Sequence, residues 1–254
     1  MAEPARQIDR IDVTPRFADA DVVRLNTRFL GVPTLEMLRA VLAEKLAGET
    51  AIVSSFGAES AALLHLVASV DRSVPVLFLD TGKHFPETLA YRDLLVERLG
   101  LSDFRNLRPD PQLLAKRDGT ELRWSYDPDG CCEIRKVLPL EAGLAGFDAT
   151  ITGRKAFQAS TRAALPRFER DGDRLKINPL ADWTKDDLAT YFAAHDLPVH
   201  PLVAQGYLSI GCAPCTSVVK PGEDPRAGRW RGWDKTECGI HTPTGDDDAN
   251  QPVF

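Results

Sequence analysis

Five cysteines stand at telling positions: Cys131 and Cys132 are adjacent, Cys212 and Cys215 flank Ala213-Pro214, and Cys238 is alone in Glu237-Cys238-Gly239-Ile240-His241. In a reducing cytosol, two tight pairs and one odd thiol favour metal ligation plus a reactive thiolate over a disulfide framework. Four thiolates suit either tetrahedral zinc or a 4Fe-4S cluster. Neighbouring cysteines on one helix diverge by about 100°, which is awkward for one zinc ion and easier for two corners of a larger cluster. The competing reading is five unrelated buried cysteines, because a free thiol packs like a small apolar group.

A second group of residues suits an anion. Ser54-Ser55-Phe56-Gly57-Ala58-Glu59-Ser60 lies between a short apolar strand, Ala51 to Ser54, and a helix predicted from Glu59 to Val70. In a parallel sheet, ligands sit beyond the carboxyl ends of the strands, where backbone N–H groups and the hydroxyls of Ser54, Ser55 and Ser60 around Gly57 can hold a phosphate. Otherwise Ser55 simply caps the helix. The loop is neither a G-x-G-x-x-G nor a Walker A sequence. Arg154, Arg226 and Arg229 are the candidates to neutralise an anionic substrate, against a reading as solvated surface arginines. Cys238 needs a positive environment to become a thiolate at neutral pH. Glu237 opposes that, whereas Lys235 and His241 can supply it; His241 can equally anchor the tail.

The elements that must position these groups follow from period and punctuation. Pro33-Thr34 opens an amphipathic helix through Leu38, Leu42 and Leu46. Val74 to Leu79 reads as a buried strand, Asp80-Thr81-Gly82 as a turn, and Pro86 as the first residue of a helix to Leu99. Asp103 to Leu107 and Ala149 to Thr152 are further strands, the second reached through a helix from near Cys131 to about Gly143. Arg167 to Ile177 reads as a hairpin centred on Asp171-Gly172-Asp173, and Thr184 with Asp187 as a near capping box for a helix to His195. The division is an arm over residues 1–30, an α/β nucleotide-binding domain over 31–205, and a segment over 206–254 carrying the second cysteine pair and Cys238. The arm, lacking a sustained period, is expected to pack loosely, and the Gly-, Pro- and charge-rich tail to be mobile until a ligand orders it.

With 254 residues, 43% hydrophobic and 27% charged, the chain suits one large α/β domain with appendages. A net charge of -6 argues against a nucleic-acid partner held by bulk electrostatics. The start Met1 to Arg10 has no apolar secretory core, and no apolar run approaches the ~20 residues that span a bilayer. A cytoplasmic protein without a membrane partner is the expectation.

The loop at Ser55, Gly57, Glu59 and Ser60 resembles the Ser-Gly-Gly-x-Asp-Ser loop of the adenine nucleotide α-hydrolase-like, or PP-loop, proteins, with Phe56 in place of a glycine and Glu59 of an aspartate. Leu79-Asp80-Thr81-Gly82 resembles the end of their second strand, where adenosine is held. Cys131-Cys132-Glu133-Ile134-Arg135-Lys136, Tyr207 to Thr216 and Glu237 to His241 together resemble the assimilatory adenylyl-sulfate (APS) reductases, the iron-sulfur branch of the APS/PAPS reductase family. The likeness runs over roughly residues 50–241.

The resemblance implies a Rossmann-like parallel sheet and a 4Fe-4S cluster on Cys131, Cys132, Cys212 and Cys215, with Lys136 between cluster and substrate. It implies Cys238 as nucleophile toward APS, with Ser54, Ser55, Gly57, Ser60, Asp80, Thr81, Arg154, Arg226, Arg229 and His241 binding substrate. It also implies thioredoxin or glutaredoxin as the separate reductant, since no further Cys-x-x-Cys follows Cys238, and it allows a homo-oligomer. The rival readings are a reductase of the 3'-phosphorylated form, PAPS; a PP-loop iron-sulfur tRNA sulfur-transferase; and a zinc-stabilised nucleotide-binding protein without catalysis.

Overall fold

The computed structural model describes residues 16–158, 164–235 and 237–240. Its centre is a six-stranded sheet of order β3-β2-β1-β4-β6-β5, built from β1 (Thr50–Ser54), β2 (Val76–Leu79), β3 (Phe104–Leu107), β4 (Ala149–Ile151), β5 (Phe168–Asp171) and β6 (Arg174–Ile177). Every neighbouring pair is parallel except β5 with β6, the expected hairpin. Chain order reverses between β1 and β4. The loop after β1 therefore opens at the switch point of the sheet, where α/β folds bind their ligands.

The strands are short and largely buried, and alternation assigns their two faces. Ile52, Val76, Phe78, Ile151, Leu175 and Ile177 enter the larger core with side chains from α1 (Asp19–Arg28), α2 (Thr34–Ala43), α3 (Ser60–Ala68) and α4 (Pro86–Leu99). Ala51, Leu77 and Leu79 face the other way, onto Leu140 and the nearby Leu144 of the α7 region (Leu138–Gly143). Pro86 starts α4 and Gly100, at φ 64°, ends it in the left-handed conformation that glycine adopts without a Cβ clash. Thr184 and Asp187 form the reciprocal capping box of α8 (Lys185–Ala194): the Asp187 amide donates to Thr184 Oγ1 at 3.1 Å and the Thr184 amide to Asp187 Oδ2 at 2.8 Å.

Three sequence expectations differ from what is observed. The loosely packed arm contains α1, which buries Leu25, with Phe17 and Phe29 buried on either side. The helix is amphipathic but only ten residues long, with Val22, Val23 and Leu25 among charged neighbours, so it offers no sustained period. The helix of the first cysteine pair starts earlier, with α6 (Pro128–Cys132), and passes through a π-helical turn at Glu133–Val137 before α7. A short helix unforeseen in the sequence, α5 (Pro111–Arg117), is capped by the Asp110 carboxylate, which accepts from the amides of Gln112 and Leu113. From Gly206 on, the described chain carries only short helical turns, yet it is tied down: Ser217 N donates to Gly228 O at 2.8 Å, Trp230 N to Cys215 O at 3.1 Å, and Trp230 is buried. His241, a candidate site residue, lies outside the described residues.

Candidate active site

At the switch point, the β1 loop has the local form its sequence demands. Ser54 Oγ accepts the Phe56 amide at 3.2 Å, and Ser60 Oγ donates to Gly57 O at 2.8 Å, so two hydroxyls shape the loop while Ser55 faces solvent. Phe56, where the resembling loops have glycine, adopts a glycine-like φ of 48°. That conformation is costly for an aromatic residue. Complete burial of its ring, edge-on to Phe78 at 5.5 Å and Phe104 at 5.9 Å, offsets the strain. Glu59 heads α3 and accepts from the buried Lys155 ammonium and from Gln158 Nε2, each at 2.8 Å, fastening the turn after β4 to the loop after β1.

The end of β2 carries the second part of the site. Asp80 accepts from Arg108 Nε at 3.0 Å and from its own turn at Gly82 N. Thr81 is buried and its hydroxyl lies 3.3 Å from Cys212 Sγ. Backbone pairing sets this contact: Ala213 N donates to Lys83 O at 2.7 Å, and His84 forms an isolated antiparallel bridge with Cys212. The later cysteine pair is thus joined to the strand end predicted to hold a nucleotide.

One cavity is lined by all four paired cysteines, Cys131, Cys132, Cys212 and Cys215, together with Lys83, Trp124, Arg135, Lys136 and Trp230. No group of three or more His, Cys, Asp or Glu side chains among the described residues is arranged to hold a metal ion. A larger cavity, of about 480 Å³, opens between Phe157 and the start of α8 and holds no cysteine. Burial pushes the Cys131 and Cys132 thiols up to about 11, each raised further by other thiolates nearby and eased by Arg135 and Lys136 respectively. Burial also opposes a Cys212 thiolate, but Lys136, the Thr81 hydroxyl, Arg229 and Arg135 together bring it below the ordinary range. Lys136 mirrors this: burial disfavours its charge, and Cys212, Cys238 and Cys132 outweigh that and raise it. The lysine therefore stays an ammonium among sulfurs.

Cys238 is half-buried and close enough to Cys132 and Lys136 for its charge to act on both. Its neighbour Glu237 pairs with Arg226 at 3.2 Å, so the carboxylate expected to oppose a thiolate is partly neutralised by an arginine predicted to bind substrate. Arg229 lies against Gly211, where a Cβ would strike its guanidinium, and over the Trp230 ring at 4.3 Å; its charge reaches Cys212, Cys215 and Lys136. Arg154 is buried and ion-paired with Glu169 of β5, on the β4 side of the site. Thus Lys136, Arg229 and the four paired cysteines come together with Thr81, Cys238 is within electrostatic reach of Lys136 and Cys132, Arg226 pairs with Glu237, and Arg154 pairs separately.

Sequence reasoning missed Arg135 and Asp118, a fully buried ion pair at 2.7 Å whose arginine also donates to Thr81 O at 2.8 Å. It also missed Trp230, buried in the cavity wall with its indole N–H unpartnered, and the Lys155–Glu59 pair. Gly211 and Gly228 carried a faint signal of close packing, since a Cβ on either would collide with Arg229 or with Ser217 O.

A mostly parallel sheet whose chain order reverses between β1 and β4, with a strand-to-helix loop at that switch point, defines a fold of the PP-loop type. The solved structures agree on the fold. A Candida auris PAPS reductase, described as a phosphate complex, superposes with a TM-score of 0.67 at 24% identity, over 80% of this chain and 98% of that one. A Candida glabrata FMN adenylyltransferase superposes at 0.52 and 15% identity, over 76% of this chain and 70% of that one. Residues 49–218 match the family model described as the phosphoadenosine phosphosulfate reductase domain, and the chain belongs to that family. Among curated relatives, an adenosine 5'-phosphosulfate reductase of Mesorhizobium japonicum is 52% identical over 241 residues, 95% of this chain and 94% of the relative. One of Deinococcus radiodurans is 48% identical over 189 residues, 74% of each chain.

Proposed function

We propose that this chain is an oxidoreductase that reduces APS to sulfite and AMP through Cys238, in sulfate assimilation toward cysteine. The observation that carries the reading is that Cys238 lies within electrostatic reach of Lys136 and Cys132, whose cavity adjoins the end of β2. Relatives named for APS rather than PAPS support the substrate. The Cys238 thiolate attacks the sulfate sulfur; an S–S bond forms, the S–O bond breaks, and AMP leaves with the bonding electron pair. Lys136, whose charge interacts with that of Cys238, would offset charge where the two anions meet, and Arg226 and Arg229 would offset the remainder. A thiolate of a separate dithiol protein, thioredoxin or glutaredoxin, then attacks Cys238 Sγ and expels sulfite. The second thiol of that protein resolves the mixed disulfide and frees Cys238.

The four paired cysteines suit a 4Fe-4S cluster. A single zinc needs its thiolates within about 2.3 Å of one point, whereas a cubane would take them at separate corners; that all four line one cavity supports the second reading. The unpartnered Trp230 indole N–H in the cavity wall and the Thr81 hydroxyl at Cys212 are donors fitted to cluster sulfur. Bound there, the cluster would supply fixed structure and local charge rather than electrons. Cys238→Ser tests the nucleophile: it is expected to bind APS and retain iron while releasing no sulfite, and sulfite release by that variant would overturn the assignment.

A further inference from the structure

The chain from Glu237 to Ile240 runs alongside the cysteine helix in a fixed register. Cys238 is within electrostatic reach of Cys132 and Lys136; a Cβ on Gly239 would come within 3.3 Å of Val137 Cγ2; and Ile240 packs on the cluster of Ala51, Leu77, Leu79, Leu140 and Leu144. Successive tail residues thus meet successive positions along the π-helical turn and α7. Two polar ties precede this apolar one, Lys235 to Asp129 and Glu237 to Arg226. These ties hold the chain on the N-terminal side of Cys238, and the Ile240 side chain holds it from the other side.

We infer that Ile240 is the positioning residue of the catalytic tail: its seat on the apolar cluster between β1, β2 and α7 sets the register that holds Cys238 beside Lys136. The inference rests on the reading of Cys238 as nucleophile. Gly239, at φ 84°, makes the turn between thiol and anchor in a conformation that side-chain-bearing residues rarely adopt, close against Val137. Because Ile240 is only half-buried, its seat can release when the reductant must reach Cys238.

The experiment compares Ile240→Ala and Ile240→Leu with the unaltered enzyme as purified anaerobically. The first readout is tryptic cleavage after Lys235, whose side chain is 7% exposed while the tail is seated. When reclosing outpaces cleavage, the rate follows the fraction of released tail. Truncating a half-buried isoleucine is expected to raise it about five- to thirtyfold, and the volume-conserving leucine to leave it near the starting rate. The second readout is single-turnover formation of the Cys238 thiosulfonate at saturating APS, expected to slow in Ile240→Ala, while dithiothreitol releases sulfite from preformed thiosulfonate undiminished. Cleavage and thiosulfonate formation both unchanged in Ile240→Ala would overturn the anchor. Cys238→Ser assayed in parallel separates the two claims: if it still makes sulfite, the nucleophile assignment fails and the proteolysis result alone decides the role of Ile240.

Discussion

Replacing Asp118 with Ala should damage the protein far more than its place in a connecting loop suggests. The carboxylate is completely buried and serves three donors: Arg135 Nε at 3.2 Å, Arg135 Nη2 at 2.7 Å and the Arg123 amide at 2.9 Å. Without it, a guanidinium only 5% exposed keeps Thr81 O as its remaining close partner. Breaking a buried pair from one side costs about 3–5 kcal/mol, because the surviving charge is left without compensation. In a chain of this length that lowers the melting temperature by roughly 6–20 °C. The effect should reach the site as well, since Arg135 holds the Thr81 carbonyl and the Thr81 hydroxyl contacts Cys212. Urea denaturation followed by circular dichroism gives the stability, and iron content after gel filtration gives the site effect. The double variant Asp118→Leu with Arg135→Met should recover much of the stability, since it removes both charges. A loss below about 1 kcal/mol in Asp118→Ala would refute the reasoning by placing the pair in the class of exposed ion pairs.

His200 provides a pH test. Burial lowers its pKa from 6.5 to about 4, opposed slightly by Glu87. The unfolded chain therefore binds the proton first, so the stabilisation is complete above pH 6.5 and is lost as pH falls toward 4, by at most about 3 kcal/mol. Neutral His200 takes the Leu202 amide on Nδ1 and bonds to Thr88 Oγ1 at 3.1 Å; His200→Gln should flatten urea midpoints over that window, and an unchanged slope would contradict the assignment. Lys136→Met should slow thiosulfonate formation about 10- to 150-fold, the loss of one charge-assisted interaction. Quenched-flow single turnovers measure this, and an unaltered rate would remove Lys136 from the reaction.

The central strands were legible because they are short, apolar and followed by turn residues: Val76–Leu79 is buried throughout and ends at Asp80-Thr81-Gly82. The cysteine pairs were legible as a set, and the cavity they line joins segments about eighty positions apart in the chain. What escaped notice depends on tertiary contact. Arg135 and Asp118 look like ordinary surface charges in sequence and become a buried pair only when the helix of Cys131 packs against the loop after α5. The π-helical turn at Glu133–Val137, which contains Lys136, leaves no compositional mark. α5 was readable in hindsight, because Asp110-Pro111 is a cap followed by a favoured first helical residue. Ile240, one apolar residue in a polar tail, shows its partner surface only in three dimensions.

The central claim is tested most directly by exposing the anaerobically purified protein to APS without a thiol reductant and mapping the product by intact-mass and peptide mass spectrometry. The account predicts one SO₃ group per chain, located on the peptide containing Cys238, released as sulfite on adding thioredoxin. An unmodified Cys238 alongside stoichiometric release of AMP, or the same adduct on any of Cys131, Cys132, Cys212 or Cys215, would contradict it.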